Sequence, residues 1–360
     1  MKNILIITDS QFGYNSDLFY YSKYLAKHYK VTFLGINHGF SPVKSDFNFN
    51  LVEIIAEKNT LVNKFNLLFE VYKLNRLHNF HFIFVLYFPL CSFLQIFVNR
   101  NITSIDIRSS YILPSNKYKE TFSNTLLKIE FMLFKNRTII SSSLADFLNI
   151  KVKYFVLPLG GEFNQIIDRR NYSNQYKLLY IGTFYERDIF KTIIGFKRFI
   201  EKFPNIDISY TLIGFGPVYD INLIQDLIIS FNIEDKVKFL GEIRYPESLR
   251  YFKDCNIGVS FVPCTPYYDC QPPTKTFEYL LYGMPVIATN TTENKLVIND
   301  ENGVLTNDNP IDFCSAIEMI IARKYNNLEI QEKSLKYSWV HIVENKMIPY
   351  IESLINSRSE

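Results

Sequence analysis

Alternation constrains this chain more than any other feature. Short apolar runs rich in β-branched and aromatic residues recur along it, each followed by a stretch with helical spacing. That is the pattern of βα units in parallel sheets. In the first half, strands are predicted at residues 3–8, 30–34, 82–87, 104–107, 138–141 and 153–157, with helices at 17–28, 62–77 and 124–134. Residues 39–50 have no clear period and read as loop. A break follows at Leu157-Pro158-Leu159-Gly160-Gly161, and the polar stretch from Asp168 to Gln175 reads as a linker. The pattern then restarts, with strands at 177–182, 206–213, 236–240, 257–262, 284–288 and 303–305 and a helix at 222–230. The expected fold class is therefore α/β: two Rossmann-like, doubly wound parallel-sheet domains facing across a cleft. Their bounds are 1–165 and 176–335. A last amphipathic helix over about 339–354, with Val343, Met347 and Ile351 four apart, is expected to cross back to the first domain.

A chain of 360 residues suits two domains, and 48% hydrophobic with 21% charged residues excludes wholesale disorder. The net charge of +3 hides a division: residues 1–160 hold 18 Lys and Arg against 10 Asp and Glu, while the rest holds 21 against 26. Five cysteines without a C-x-x-C pair suggest a reducing compartment and no zinc site. The apolar run after Lys2 is four residues long and ends at Asp9, too short for a signal peptide. Residues 80–98 approach membrane-spanning length, but His81, Gln95 and above all Pro89 divide them into a strand and a helix.

In open parallel sheets ligands gather beyond the carboxyl ends of strands, so the post-strand loops hold the candidates. The stretch from Tyr267 to Thr289 is the most informative. Pro272 and Pro273 pre-set a helix start, Gly283 and Pro285 end it, and Phe277, Leu280, Leu281 and Met284 mark its buried face. Glu278 lies off that face, where a carboxylate can accept both hydroxyls of a ribose. Thr274, Lys275 and the free N–H groups of the first turn can meet a phosphate. The same residues also suit an ordinary acidic helix start with a solvated lysine. In the turn from Gly182 to Asp188, Arg187 sits where a helix begins and can grip a diphosphate bidentately. The loop Ile213-Gly214-Phe215-Gly216-Pro217 follows another strand. In the first half, Asp9 to Ser16 includes Gly13 and ends at a predicted helix cap, Ser16. Asp106 and Arg108 end a strand and are expected to point toward the cleft. The five histidines form no catalytic pattern, and no D-x-D for a metal-held diphosphate occurs, so a metal-free site of Arg and Lys is expected.

Together these loops resemble GT-B-fold glycosyltransferases, specifically retaining glycosyltransferase family 4 (group 1 glycosyl transferases). The resemblance covers nearly the whole chain. It rests on Tyr180-Ile181-Gly182-Thr183, Leu212 to Pro217, Val237 to Gly241, Phe277 to Ala288 and Asn302 to Leu305, in that order. It implies that Glu278 is the second glutamate of the family's E-x7-E motif and holds the donor ribose. Arg187 takes the place of the diphosphate-binding cation, and Thr183 that of a second arginine. The first glutamate falls at Cys270, with Asp269 beside it as a stand-in, and a further family glutamate falls at Lys295. The family's first-domain histidine is replaced by the pair Asp106 and Arg108.

The implied activity is transfer of a sugar from a nucleotide-diphosphate sugar to an acceptor hydroxyl, with retention and without cofactor or metal. Arg187, Lys275, Glu278 and Asp269 are the expected catalytic residues. Gly182, Thr183, Gly214, Gly216 and Thr274 join Arg187, Lys275 and Glu278 in holding the donor. Gly13, Asp106 and Arg108 stand on the acceptor side. Expected partners are the nucleotide sugar and a lipid-linked or surface-polysaccharide glycan, without nucleic acid. Lys23, Lys27 and Lys30 offer an anionic membrane surface a basic face, so the expected location is cytoplasmic, peripheral on the inner membrane face. A non-hydrolysing nucleotide-sugar epimerase and a catalytically silent scaffold of the same fold are the alternatives.

Overall fold

The computed structural model describes residues 1–113, 116–163, 175–243 and 247–356. The predicted linker lies almost wholly outside the described residues. The chain forms two compact units, one of Met1–Leu159 with Trp339–Glu360, the other of Gly160–Ser338.

Unit 1 is built on a seven-stranded sheet. Its strands are β1 (Asn3–Ile7), β2 (Lys30–Asn37), β3 (Asn50–Ile55), β4 (Phe82–Leu86), β5 (Thr103–Ile107), β6 (Asn136–Ile139) and β7 (Phe155–Val156). All pair in parallel, in the order β3-β2-β1-β4-β5-β6-β7. Every residue of β4 and β5 is buried, and β4 accordingly reads as an unbroken apolar run: helices cover both faces of such a sheet. Strand β3 was not anticipated. It is an edge strand, half exposed along its length, and so carries no such run.

Helix α1 (Ser16–Leu25) follows β1. Its cap is Asn15, whose Oδ1 accepts from the Leu18 N–H at 3.1 Å, not the Ser16 expected one residue later. Helix α2 (Thr60–Leu77) leads into β4, a 3-10 turn (Cys91–Ile96) follows β4, and α3 (Lys117–Leu133) follows β5. The near-spanning segment is thus strand and turn, divided as Pro89 predicts. No helix among the described residues is long and apolar enough to cross a membrane.

The segment after Ser338 completes unit 1. It runs as helix Trp339–Ile342, a π turn Val343–Met347 and helix Ile348–Asn356. In the π turn the Ile348 N–H reaches back five residues to the Val343 carbonyl. The wider turn fits Pro349, which has no N–H to continue the regular ladder. Val343, Met347 and Ile351 are fully buried. Trp339 stacks on Tyr20 at 5.7 Å and meets Tyr21 edge-on at 5.6 Å.

Unit 2 repeats the design with six parallel strands: β8 (Tyr176–Ile181), β9 (Ile208–Ile213), β10 (Val237–Phe239), β11 (Ile257–Ser260), β12 (Val286–Thr289) and β13 (Gly303–Thr306). Their order is β10-β9-β8-β11-β12-β13. Strand order reverses between β1 and β4 in unit 1 and between β8 and β11 in unit 2. Such reversals open crevices beyond the strand ends, where ligands of doubly wound sheets bind.

Candidate functional site

The loops after β8 and β11 meet at the reversal point of unit 2. The helix Thr274–Leu281 follows β11, and its place is fixed from several sides. Tyr279 accepts from the Ile181 N–H at 2.9 Å, tying the end of β8 to this helix. Thr276 lies between Ser260 at 2.7 Å and Asn294 at 3.0 Å. Gly283 stops the helix with φ of 67°, the left-handed conformation suited to a helix end.

This anchoring carries Lys275 inward. Its ammonium is buried, has no hydrogen-bond partner, and sits 4.0 Å from the centre of the Tyr180 ring. A Cβ on Gly182 would stand 3.0 Å from the Lys275 Nζ, so the glycine leaves the space the lysine fills. Burial holds the Lys275 pKa well below the usual lysine range; the charge of Arg187 lowers it further, and Glu278 opposes the shift. Glu278, one turn on, has its carboxyl pushed up to about 7 by burial, with Lys275 acting against the shift. Both residues keep some surface, but their charged groups lie among packed protein atoms.

Arg187 approaches from the β8 loop. Its guanidinium lies 4.3 Å from the centre of the Tyr268 ring. Glu186 and Asp188, on either side, have φ of 51° and 50°. Two non-glycine residues in the left-handed region hold this loop in an uncommon shape, of the kind found where backbone aims a functional side chain. Among the described residues neither Arg187 nor Lys275 forms an ion pair. Lys191, by contrast, is engaged by Asp188 at 2.8 Å. Two cations come close enough to act on each other, and one of them is buried without a hydrogen-bond partner. Such a state is costly unless a ligand supplies the missing negative charge.

The glycine loop after β9 closes on the same region. A Cβ on Gly214 would collide with the Gly182 carbonyl, and one on Gly216 would stand 3.0 Å from Phe184 Cβ. Thr183 shapes the β8 loop: its carbonyl accepts from the Tyr180 hydroxyl at 2.6 Å and its Oγ1 from the Tyr185 N–H at 3.1 Å. Thr274 is the first residue of the helix and is half buried.

The acids flanking this core behave differently. Both carboxylate oxygens of Asp269 are taken by Thr292, from its N–H at 2.8 Å and its hydroxyl at 2.7 Å. Asp269 therefore holds the start of the short helix Thr292–Lys295 rather than standing in for the missing glutamate. Cys270 is buried, its thiol donates to the Tyr267 carbonyl at 3.1 Å, and burial pushes its pKa up to about 12. It is a neutral thiol at working pH. Lys295 is exposed, while Glu293, two residues earlier, is buried. Tyr180 and Tyr268, on whose rings the two cations rest, were not expected at the site.

In unit 1 the expectation for Asp106 and Arg108 is corrected. Asp106 is fully buried, accepting from the Thr138 hydroxyl at 2.5 Å and from Arg108 Nε at 2.6 Å. Arg108 also pairs with Asp17 at 3.2 Å and donates to the Leu157 carbonyl at 2.8 Å and to the Tyr21 hydroxyl. Burial, with Asp17 nearby, pushes the Asp106 carboxyl up to about 8, the Thr138 hydroxyl bond opposing. These groups engage one another in the interior of unit 1. Arg108→Ala is therefore expected to cost roughly 3–5 kcal/mol of stability by leaving buried acids unpaired. Urea unfolding measures it, and an unchanged midpoint would refute the structural role. Gly13, with φ of 85°, is overlaid by Val43.

Comparison with known proteins places unit 2 in a family. Residues 175–323 match the family model described as glycosyl transferases group 1. Unit 2 carries a group 1 glycosyl transferase domain. That domain makes the chain a glycosyltransferase. The matched span contains Gly182, Arg187, Gly214, Lys275 and Glu278. Solved structures extend the likeness in fold over the whole length. Sucrose-phosphate synthase from Thermosynechococcus elongatus superposes with a TM-score of 0.72 at 16% identity, covering 98% of this chain and 99% of that one. The lipopolysaccharide outer core galactosyltransferase WaaB gives 0.66 at 13% identity, with 99% of each chain covered. Anabaena HepE, in complex with UDP and glucose, gives 0.64 at 14%, covering 98% of this chain and 100% of that one. Sequence comparison finds no match among curated proteins. The family match thus falls within unit 2, and the likeness in fold to these structures extends over both sheets.

Proposed function

We propose that the chain moves a sugar from a nucleoside-diphosphate sugar to an acceptor hydroxyl with retention of configuration. The observation that supports this reading is the buried, unpartnered ammonium of Lys275 beside the Arg187 loop. A diphosphate is the anion that two converging cations and a helix start suit. In this reading Arg187 and Lys275 bind its oxygens, Thr274 and the N–H groups of the helix's first turn add hydrogen bonds, and Glu278 accepts the ribose hydroxyls. Gly182, Gly214 and Gly216 let backbone approach the nucleotide.

The anomeric carbon–oxygen bond to the diphosphate breaks through an oxocarbenium-like state. The acceptor oxygen bonds to the face that the diphosphate leaves, and its proton passes to the departing phosphate oxygen. Glycoside and nucleoside diphosphate result. Charge developing on the leaving group is met by the two fixed cations, so the donor needs no metal. The acceptor is proposed to be a lipid-linked or surface glycan met by unit 1, at the cytoplasmic side of an anionic membrane.

Because the Anabaena structure holds UDP and glucose, uracil nucleotides head the test. Thermal shift across UDP, GDP, ADP and dTDP, then their sugars, is expected to show one stabilising base. Incubation with that donor and a glycan library is expected to yield a glycoside of the donor's own anomeric configuration by NMR. No stabilisation by any nucleoside diphosphate would falsify the reading. Epimer formed without acceptor would replace it with epimerase chemistry.

A further inference from the structure

We propose that the face made by α2, the 3-10 turn and α3 of unit 1 docks on an anionic lipid bilayer. The inward side of α2 is consumed by the sheet: Leu67, Leu68, Val71 and Leu74 are buried. Its outward side does not turn polar. Phe65 and Phe69, four residues apart, are 62% and 57% exposed. On the 3-10 turn Phe93 and Ile96 are 50% and 68% exposed, and on α3 Tyr118 and Phe122 are 93% and 69% exposed. Six large apolar side chains in water on three neighbouring helical elements are unusual for a soluble surface.

These elements form one face. Tyr72 of α2 meets Phe97, at the end of the 3-10 turn, edge-on at 5.6 Å. The buried carboxylate of Glu130 on α3 accepts from the Leu90 and Ser92 N–H groups at 2.9 and 3.0 Å and from the Ser92 hydroxyl at 2.7 Å. The turn is thereby held against both helices.

Charge selects the occupant. Helices α2 and α3 carry Lys64, Lys73, Arg76, Lys117, Lys119 and Lys128 against Glu70, Glu120 and the inward-facing Glu130. Glu70 and Glu120 are each paired with a lysine, at 3.0 and 3.5 Å. The cations interleave with the rings: Lys73 lies 4.7 Å from the Phe69 ring centre and Arg76 5.7 Å from that of Tyr72. Aromatic side chains that enter the acyl boundary, ringed by long cationic side chains that reach phosphate headgroups, make an interfacial surface. A second copy on the same face would set cation against cation. Lys23 in α1 and Lys27 just beyond its end suit the role less well. Lys23 and Lys27 lie over the rings of Tyr20 and Tyr24, and α1 exposes no large apolar side chain.

The inference rests on the proposal that unit 1 meets an anionic membrane and is independent of the donor chemistry. Its test is co-sedimentation of the full chain with phosphatidylglycerol–phosphatidylcholine vesicles and with phosphatidylcholine alone. Wild type is expected to partition onto the anionic vesicles, and Phe65→Ser with Phe69→Ser to weaken this about tenfold or more. Tyr118→Ser with Phe122→Ser should act likewise, whereas Lys23→Gln with Lys27→Gln should change it less than about twofold. An unchanged stabilisation by nucleoside diphosphate shows that the variants are folded. Binding indifferent to the phenylalanines or to anionic lipid would overturn the proposal, as would a vesicle-inert dimer that the phenylalanine variants dissociate. Vesicle binding by a protein that takes no nucleotide would keep this surface and remove the donor reading.

Discussion

Lys275→Met is expected to lower turnover about a hundredfold or more while leaving the unliganded protein at least as heat-stable as wild type. The two effects share one cause. Without ligand the ammonium is buried, unpartnered and held well below its usual pKa by burial, an arrangement that costs free energy. Methionine keeps most of the volume and remains good company for the Tyr180 ring 4.0 Å away, without a charge to desolvate. What is lost is the positive charge that would meet a leaving diphosphate. Steady-state kinetics and a melting curve on the same sample check both halves. Full activity would remove Lys275 from the site, and a melting temperature several degrees lower would show that its charge stabilises the fold.

The second large effect concerns Glu278 and Arg187. Glu278→Ala and Arg187→Ala are each expected to cut activity at least about tenfold in a folded protein. The glutamate adds a pH signature. Its carboxyl, raised from 4.5 to about 7 in the unliganded state, binds a proton more tightly than a solvent-exposed one. Only the ionised form can accept two ribose hydroxyls. Nucleotide affinity should therefore weaken as pH falls below about 7, beyond the part due to the nucleotide's own titration. Glu278→Gln should lose this extra slope. Calorimetric titrations with UDP from pH 5.5 to 8 would separate the two, and parallel profiles would count against a ribose contact.

The strands were legible because a sheet covered on both faces demands continuous apolar runs, and β4 (Phe82–Leu86) could be little else. Strand β3 escaped because an edge strand needs no such run. The first turns of α3 escaped because Lys117-Tyr118-Lys119-Glu120 looks like loop to any reading based on a buried face. The site divides in the same way. Glu278, Lys275 and Arg187 could be found because local sequence places them: a proline-started helix, a strand-to-helix turn. The fates of Asp106, Arg108 and Asp269 depended on partners far along the chain, namely Thr138, Asp17 and Thr292. A carboxylate bound for the interior and one bound for a ligand are spelled alike. Tyr180 and Tyr268 were missed for a related reason, since an aromatic residue beside a core strand gives no sign that a cation will rest on it.

The return of the chain to unit 1 at Trp339 bears on how the protein is made. Unit 2 is an uninterrupted piece whose ends are already side by side, Gly161 pairing with Ser338 and donating to the Tyr337 carbonyl at 3.0 Å. Unit 1 is synthesised first, yet Tyr20 and Tyr21 wait for Trp339, and Tyr29 and Lys2 wait for Glu352, each 2.6 Å away. On the ribosome the later-made unit can therefore close before the earlier one. Until residues 339–356 emerge, the first unit is a nascent sheet with an uncovered flank, and that interval is when it most needs a chaperone.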